Sequence, residues 1–197
     1  MSELDPGLRA GPIAPIGPIG SGRSGGSGGS GDPGGATQAA IEADPGRVDA
    51  ALVRHPRSRH LPPGQRRYAA LDRPLPIGHG QTNSQPSTVR TMLLALDVRP
   101  GHRVLDVGSG SAWTTVLLAD LASPGGSVLG VERIPELVTV GRAALALAGM
   151  PSARIHTADA DRLGAAVYGP FDRILVSAMA AEVRANSSSN CPRAESW

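Results

Sequence analysis

Three acidic residues stand at or near the ends of three successive apolar runs. Asp106 lies in VLDVGSGSAWTT, Glu132 ends SVLGVE, and Asp159 ends ARIHTAD. If these runs are parallel strands, their carboxyl ends meet at one edge of a sheet, so the three carboxylates converge on one crevice. A single acid at such a place is equally well explained as a solvated loop residue, whereas three together predict a ligand site.

A glycine loop follows the first of these runs and opens a predicted helix. Gly108 and Gly110 allow a tight turn and a close approach of the backbone to a ligand, and the helix end directs N–H groups into the same crevice. A dinucleotide fingerprint requires a third glycine where Trp113 stands. Asp106 repels a pyrophosphate and attracts a cation. The ligand predicted from these residues is S-adenosylmethionine, with its sulfonium and ammonium charges.

This cofactor gives a role to the loop and to each acid. Glu132 is placed to accept hydrogen bonds from both ribose hydroxyls, and Asp159 to reach the adenine amino group. No metal site is predicted. The predicted cofactor-binding residues are Asp106, Gly108, Ser109, Gly110, Glu132 and Asp159.

A second candidate segment is PIGHGQTNSQPSTV, from Pro76 to Val89, in which few residues are apolar. It combines His, Gln, Asn and hydroxyl side chains with two glycines. Composition alone leaves two interpretations open: an idle surface loop, or a segment that lines a pocket.

The elements that must position these residues alternate between strand and helix. Short buried strands are predicted for HRVLDVG, SVLGVE, ARIHTAD and FDRILVSA, and helices for AWTTVLLADLA and IPELVTVGRAALALAG. Two further helices are predicted upstream, around residues 48–54 and from residue 89 to residue 96. This order predicts an α/β fold with a Rossmann-like, doubly wound parallel sheet that carries helices on both faces.

Composition divides the chain into four predicted segments. Residues 1–40 form a disordered Gly/Pro/Ser-rich tail, 41–100 a helical segment with the substrate-side loop, 101–183 the cofactor-binding core, and 184–197 an irregular tail. A net charge of +2 and few aromatic residues disfavour nucleic-acid binding. The lone Cys191, with no apolar run of membrane-spanning length and no secretion signal, predicts a cytoplasmic protein without membrane partners.

The polar segment carries the most specific resemblance to a known family. GHGQTNSQP, from Gly78 to Pro86, resembles the G-x-G-Q-T-I-S-Q-P motif of the protein-L-isoaspartate O-methyltransferases, in particular their bacterial branch. VLDVGSGSAWTT resembles the family's cofactor loop, GVERIPEL its second-strand acid, and FDRILVSA its fourth strand. The resemblance spans roughly residues 48 to 183 and would make the polar segment part of a pocket.

The resemblance implies methyl transfer from S-adenosylmethionine to the free carboxylate of isoaspartyl residues in damaged proteins or peptides. Because a carboxylate of pKa about 4 is ionised at neutral pH, catalysis is chiefly positioning. Ser84 matches the family's active-site serine, and Thr82 and Gln85 flank it; these three are the predicted catalytic residues. Ser177, after the fourth strand, is a secondary pocket candidate.

The chain departs from the family pattern at several positions. His60 stands where an aromatic is usual, Asn83 replaces an isoleucine and is expected to loosen its loop, and Ala112 replaces a glycine. After the fourth strand, EVRANSSSNCPRAESW has no strand pattern, so the chain is expected to be truncated. The expected sheet has strand order 3-2-1-4, an apolar edge at RILVSA and marginal stability.

Three alternatives stay open at this point. The first is an inactive remnant that binds the cofactor or a partner, which cofactor binding without methyl transfer would identify. The second is a methyltransferase for a small molecule, against which the GHGQTNSQP motif argues. The third is a nicotinamide oxidoreductase, which Asp106 and Trp113 disfavour. The oligomeric state is not predicted.

Overall fold

The computed structural model describes residues 44–158 and 165–178. The predicted tails at residues 1–40 and 184–197 lie outside the described residues, as does Asp159. No helix in the described ranges is long and apolar enough to cross a membrane.

A four-stranded parallel sheet forms the centre of the described chain. Its strands are β3 (Arg103–Val107), β4 (Ser127–Glu132), β5 (Ala153–Thr157) and β6 (Arg173–Val176). They lie in the order β5-β4-β3-β6, with Leu105 paired to Leu129 and to Ile174. The predicted α/β class, its parallel sheet and the strand order are therefore confirmed.

Four α-helices accompany the sheet within residues 44–158 and 165–178. They are α1 (Pro45–Arg54), α2 (Pro86–Leu96), α3 (Trp113–Ala122) and α4 (Pro135–Ala148). The last two connect consecutive parallel strands, as the sequence predicts. Helix α2 begins three residues before the predicted start at Val89, because Pro86 fits the first helical position, where the missing N–H costs nothing.

The core divides between the two faces of the sheet because strand side chains alternate in direction. Val104 and Leu175 pack with side chains from all four α-helices in one buried cluster. Leu105 and Val131 lie in a second cluster on the opposite face, together with Phe171. Among the described residues, the α-helices contribute only to the first of these clusters. Helix α3 is central there, with nine of its ten residues buried.

The segment before the sheet contains four short elements that the sequence did not predict. Strands β1 (Leu75–Gly78) and β2 (Gln81–Asn83) pair as an antiparallel hairpin, in which Leu75 faces Asn83. Two 3₁₀ helices, Arg57–His60 and Pro63–Tyr68, precede it. Leu75 and Ile77 bury their side chains in a small cluster with Leu137 of α4. This packing fixes the polar hairpin against α4.

Candidate functional site

A small pocket lies between the hairpin and the glycine loop that follows β3. The hairpin side contributes Thr82, Asn83 and Ser84, and the loop side contributes the residues from Gly108 to Ser111. Two segments that are separated by about 25 positions in the sequence therefore face each other. The remaining lining residues are Ile77, Trp113, Thr114 and Ser177.

The glycine loop adopts backbone angles that favour glycine. Gly108 has φ +83°, and a Cβ added there would lie 2.7 Å from the Cβ of Ala178. Gly110 has φ +50°, and its added Cβ would lie 3.2 Å from Cδ1 of Ile77. The close approach that the two glycines permit in this structure is thus an approach of other parts of the chain.

The loop amides are largely bonded within the protein. The N–H groups of Gly108 and Ser109 both donate to the carbonyl of Val131, at 2.8 and 3.2 Å. The N–H of Gly110 donates to Oε2 of Glu132 at 3.0 Å. These bonds fix the loop against the end of β4.

Asp106 lies behind the glycine loop, with no exposed surface. Its Oδ2 accepts hydrogen bonds from the hydroxyls of Thr114 (2.9 Å) and Thr115 (2.7 Å) at the start of α3. Its Oδ1 lies 3.4 Å from Oγ of Ser177, in the pocket wall. Burial raises the pKa of the Asp106 carboxyl above its ordinary value of 3.8, and the three hydroxyls oppose that rise.

Glu132 ends β4 and is also buried. Its Oε1 accepts a hydrogen bond from the N–H of Ile134 at 2.9 Å, while Oε2 accepts that of Gly110. A carboxylate oxygen can accept two hydrogen bonds, so each oxygen of Glu132 has capacity left for a hydroxyl donor. The carboxylate is held at the carboxyl end of the central strands, where α/β sheets bind ligands.

Ser109 in the glycine loop has a buried hydroxyl that makes no hydrogen bond within the described residues. Its side chain is 3% exposed, and Oγ has no hydrogen-bond partner. A buried hydroxyl without a partner costs about 1–3 kcal/mol. Ser109 also lines the pocket, and the chemistry of its hydroxyl and of the Glu132 carboxylate fits a cofactor with hydroxyl, amino and carboxylate groups.

The predicted catalytic residues separate into two kinds. Thr82 and Ser84 both line the pocket. The side chain of Gln85 instead donates to Oγ of Ser87 at 3.1 Å, and Gln85 occupies the N-terminal cap position of α2. The structure brings Thr82 and Ser84 together with Ser109, whereas Gln85 is engaged with the neighbouring helix.

Comparison with known proteins identifies the family. The model of the family described as protein-L-isoaspartate(D-aspartate) O-methyltransferase matches residues 38–187. The chain belongs to this family. The family that the GHGQTNSQP motif indicated is therefore confirmed.

Relatives with that name come from several organisms. The protein-L-isoaspartate O-methyltransferase of Aeropyrum pernix is 47% identical over 135 residues, which cover 68% of this chain and 52% of the relative. Those of Methanopyrus kandleri and Anaeromyxobacter dehalogenans are 43% and 46% identical, with 70% of this chain and 61% and 64% of the relatives covered. The chain thus spans between half and two-thirds of the length of these relatives.

Solved structures support the same fold. A Plasmodium falciparum protein named as a protein-L-isoaspartate O-methyltransferase, in complex with S-adenosyl-L-homocysteine, matches with TM-score 0.65 and 24% identity. That match covers 74% of this chain and 72% of the other. A second protein-L-isoaspartate O-methyltransferase matches with TM-score 0.67 and 22% identity, and covers 74% and 47% of the two chains.

Asn83, where the isoaspartyl methyltransferases usually have isoleucine, is buried and fully engaged. Its Oδ1 and its carbonyl oxygen each accept a hydrogen bond from the guanidinium of Arg57, both at 2.8 Å. Its Nδ2 donates to Oγ of Ser111 at 3.3 Å. The expectation that Asn83 loosens the loop is therefore wrong, because these hydrogen bonds fix Asn83 to Arg57 on one side and to Ser111 on the other.

Arg57 supports the site and was not predicted from the sequence. Only 4% of its surface is exposed, and it also donates to the carbonyls of Leu71 (3.1 Å) and Arg73 (2.9 Å). Its guanidinium carbon lies 5.7 Å from the ring centroid of Trp113. The only signal in the sequence was an arginine within an otherwise ordinary Pro/Arg-rich stretch, which resembles many solvated segments.

Ala112, where the isoaspartyl methyltransferases usually have glycine, takes a left-handed conformation with φ +67° and ψ 17°. Its side chain is fully buried and packs in the main core cluster. The methyl group therefore points into the protein and not into the pocket. The departure places an alanine in a backbone region that costs about 1–2 kcal/mol for residues with a Cβ.

Proposed function

We propose that this chain binds S-adenosylmethionine and catalyses methylation of the free carboxylate of isoaspartyl residues in damaged proteins or peptides. The single observation that carries the proposal is the shared pocket. Thr82 and Ser84 from the family's most specific motif face Ser109 and the glycine loop across it. Family membership supports the same assignment.

The cofactor assignment draws on the buried acids and on the loop. Ser109 Oγ, which has no partner, is assigned to a polar group of the ligand, and Glu132 to the ribose hydroxyls. Asp106 contributes negative charge from behind the loop, directed through Oδ1 and Ser177 towards the pocket. Asp159 is assigned to the adenine amino group on the basis of its sequence position alone.

The pocket side chains have an orienting role. When bound, S-adenosylmethionine supplies a methyl group that is electrophilic because it is bonded to a positively charged sulfonium sulfur. The isoaspartyl carboxylate is already ionised at neutral pH, so no side chain has to remove a proton. The Ser84 and Thr82 hydroxyls donate hydrogen bonds that fix the carboxylate, and orientation of this kind is worth up to about 7–11 kcal/mol. Neutral donors suit this task because they do not compete as nucleophiles.

Methyl transfer to a synthetic isoaspartyl peptide tests the proposal directly. The matched control is the same peptide with a normal aspartate, which lacks the displaced backbone geometry. We expect methylation of the isoaspartyl peptide only, together with heat of binding for S-adenosylhomocysteine in calorimetry. Binding without transfer to any peptide would identify an inactive cofactor-binding protein, and transfer to small molecules alone would identify a different substrate class.

Removal of the Ser84 hydroxyl is the first prediction. Because Ser84→Ala removes one donor to the carboxylate, we expect kcat on the isoaspartyl peptide to fall about 10²-fold, by analogy with loss of one preorganised donor. Affinity for S-adenosylhomocysteine should stay within twofold of wild type. Thr91→Ala, which removes an exposed hydroxyl bonded to the carbonyl of Ser87, is the control. Full turnover by Ser84→Ala would refute the assigned role.

Three finer assignments stay predictions. These are membership of the bacterial branch, for which the archaeal relatives give no support, a cytoplasmic location, and the absence of nucleic-acid partners. The catalytic role of Gln85 likewise stays a prediction.

A further inference from the structure

Two polar residues that depart from the family pattern converge on Ser111. Nδ1 of His60 lies 3.0 Å from the carbonyl oxygen of Ser111, and Nδ2 of Asn83 lies 3.3 Å from its Oγ. His60 stands where an aromatic is usual, and Asn83 where isoleucine is usual. Both contacts run from the segment before the sheet to the glycine loop, and all three residues are at most 7% exposed.

The two polar contacts to Ser111 are directional. An apolar pair would hold the hairpin against the loop by area alone, without fixing its register. A hydrogen bond to Oγ and another to the carbonyl constrain both the side chain and the backbone of Ser111. The Ser111 carbonyl accepts a bond only from a ring nitrogen that carries a proton, so Nδ1 of His60 is the donor.

Asn83 is itself rigidly held on the hairpin side. The Arg57 guanidinium donates hydrogen bonds to the side-chain oxygen and to the carbonyl of Asn83. It also donates to three further carbonyls in residues 69–73. Ser84 follows Asn83 directly in the chain. A displacement of Asn83 relative to Ser111 is therefore a displacement of Ser84 relative to the cofactor loop.

We propose that Ser111 is a positioning residue, which couples the Ser84 segment to the glycine loop through Asn83 and His60. The inference rests on the proposed function, since it assigns the coupling to the transfer of a methyl group across this pocket. Ser111 touches neither reactant in this role; its contacts set the distance between the two halves of the site. A misplacement of about 1 Å costs up to 10²-fold in rate.

A double-mutant cycle tests the coupling. Ser111→Ala and Asn83→Ala each break the same link, so each is expected to lower kcat about tenfold, while the double variant falls no further than Asn83→Ala alone. KM for S-adenosylmethionine should change less than twofold. Ser123→Ala, which removes a serine hydroxyl bonded to the carbonyl of Ala119 in α3, is the matched control and should keep the wild-type kcat.

A conservative variant separates positioning from general destabilisation. Asn83→Asp keeps an acceptor for Arg57, and the Ser111 hydroxyl can turn to donate to the new carboxylate. We expect Asn83→Asp to recover at least half of the kcat lost in Asn83→Ala. A kcat that tracks the melting temperature across all variants, with no rescue, would overturn the inference.

Hydrogen exchange gives a readout that does not depend on turnover. Addition of S-adenosylhomocysteine to wild type should protect the amides of residues 81–85 as well as those of 108–110. In Ser111→Ala, protection of 108–110 should persist and that of 81–85 should be lost. Retained protection of 81–85 in this variant would contradict the coupling.

The two proposals fail in distinguishable ways. If wild type gives no heat with S-adenosylhomocysteine and no methyl transfer, the proposed function is refuted. The coupling is then tested by measuring the free energy of unfolding of wild type, Ser111→Ala, Asn83→Ala and the double variant. A coupling between Asn83 and Ser111 would support the physical link, and additive effects would overturn it.

Discussion

Gly108 and Asp106, two residues apart in the sequence, meet different demands in the folded chain. Gly108 has to accommodate a positive φ and the close passage of Ala178 after β6. Asp106 buries its carboxyl group, which accepts hydrogen bonds from two threonine hydroxyls of α3 in place of water. The D-x-G-x-G pattern thus serves chain packing first, and the pocket is built on that packing.

The contact between Gly108 and Ala178 makes Gly108→Ala strongly destabilising. A positive φ costs about 1–2 kcal/mol for any residue with a Cβ, and overpacking adds typically 1–3 kcal/mol. Gly101→Ala is the matched control, because Gly101 has φ +87° with no atom within 4 Å of the added Cβ. Chemical denaturation of the two variants should show the larger loss for Gly108→Ala. Equal losses would show that Ala178 moves aside freely.

The hairpin of β1 and β2 owes its position to neighbouring elements. Leu75 and Ile77 attach it to α4, and Arg57 from the first 3₁₀ helix attaches it through Asn83. With only a few residues in each strand, an isolated hairpin would be marginal in water. Its rigidity, and hence the position of Ser84, therefore depends on these apolar contacts and on the hydrogen bonds of Arg57.

Replacement of Arg57 by lysine tests this dependence. Arg57→Lys keeps the charge but loses the planar fork that reaches several oxygens at once, which leaves buried carbonyls without donors at about 1–3 kcal/mol each. We expect a loss of roughly 3 kcal/mol or more in the free energy of unfolding. Arg59→Lys, at an exposed position on the same 3₁₀ helix, should cost less than about 0.5 kcal/mol. A tolerated Arg57→Lys would mean that the hairpin is held by its apolar contacts alone.

On the scale of the whole molecule, several histidines are partly or largely buried. For His55, His60, His102 and His156, burial is the largest cause that lowers the pKa below the ordinary value of 6.5. Between the folded and the unfolded pKa, the unfolded chain binds more protons, so stability falls as pH falls. Asp106 acts in the opposite sense, because its raised pKa favours protonation in the folded chain.

Denaturation from pH 8 to pH 5.5 should reveal the histidine effect. The free energy of unfolding is expected to be nearly constant above about pH 7 and to fall as the pH drops below 6.5. His60→Gln removes the titrating ring, so this variant should lose less stability over the same interval than wild type. The comparison is of slopes, since the substitution itself lowers stability at every pH. A stability that rises on acidification would contradict the sign.

The strands and helices of the core could be predicted from the sequence because their signals are local. Apolar runs of strand length, turn residues at their ends and the D-x-G-x-G spacing all lie within a few positions of one another. The family followed from the same short segments, and the strand order from the resemblance to that family. Thr82 and Ser84 were assigned to a pocket from a motif of nine residues, and the structure places them in one.

Only the tertiary structure decided how the site is held together. Arg57 and Asn83 are 26 positions apart, and Asn83 and Ser111 are 28 apart. No local pattern encodes such pairs, because an arginine or an asparagine is as well satisfied by water until its partner is brought to it. The burial of Asp106, the open hydroxyl of Ser109 and the passage of Ala178 over Gly108 have the same origin. They depend on which segments meet when the sheet and hairpin pack. Contacts between distant segments stabilise the fold, but a short stretch of sequence contains only one partner of each contact.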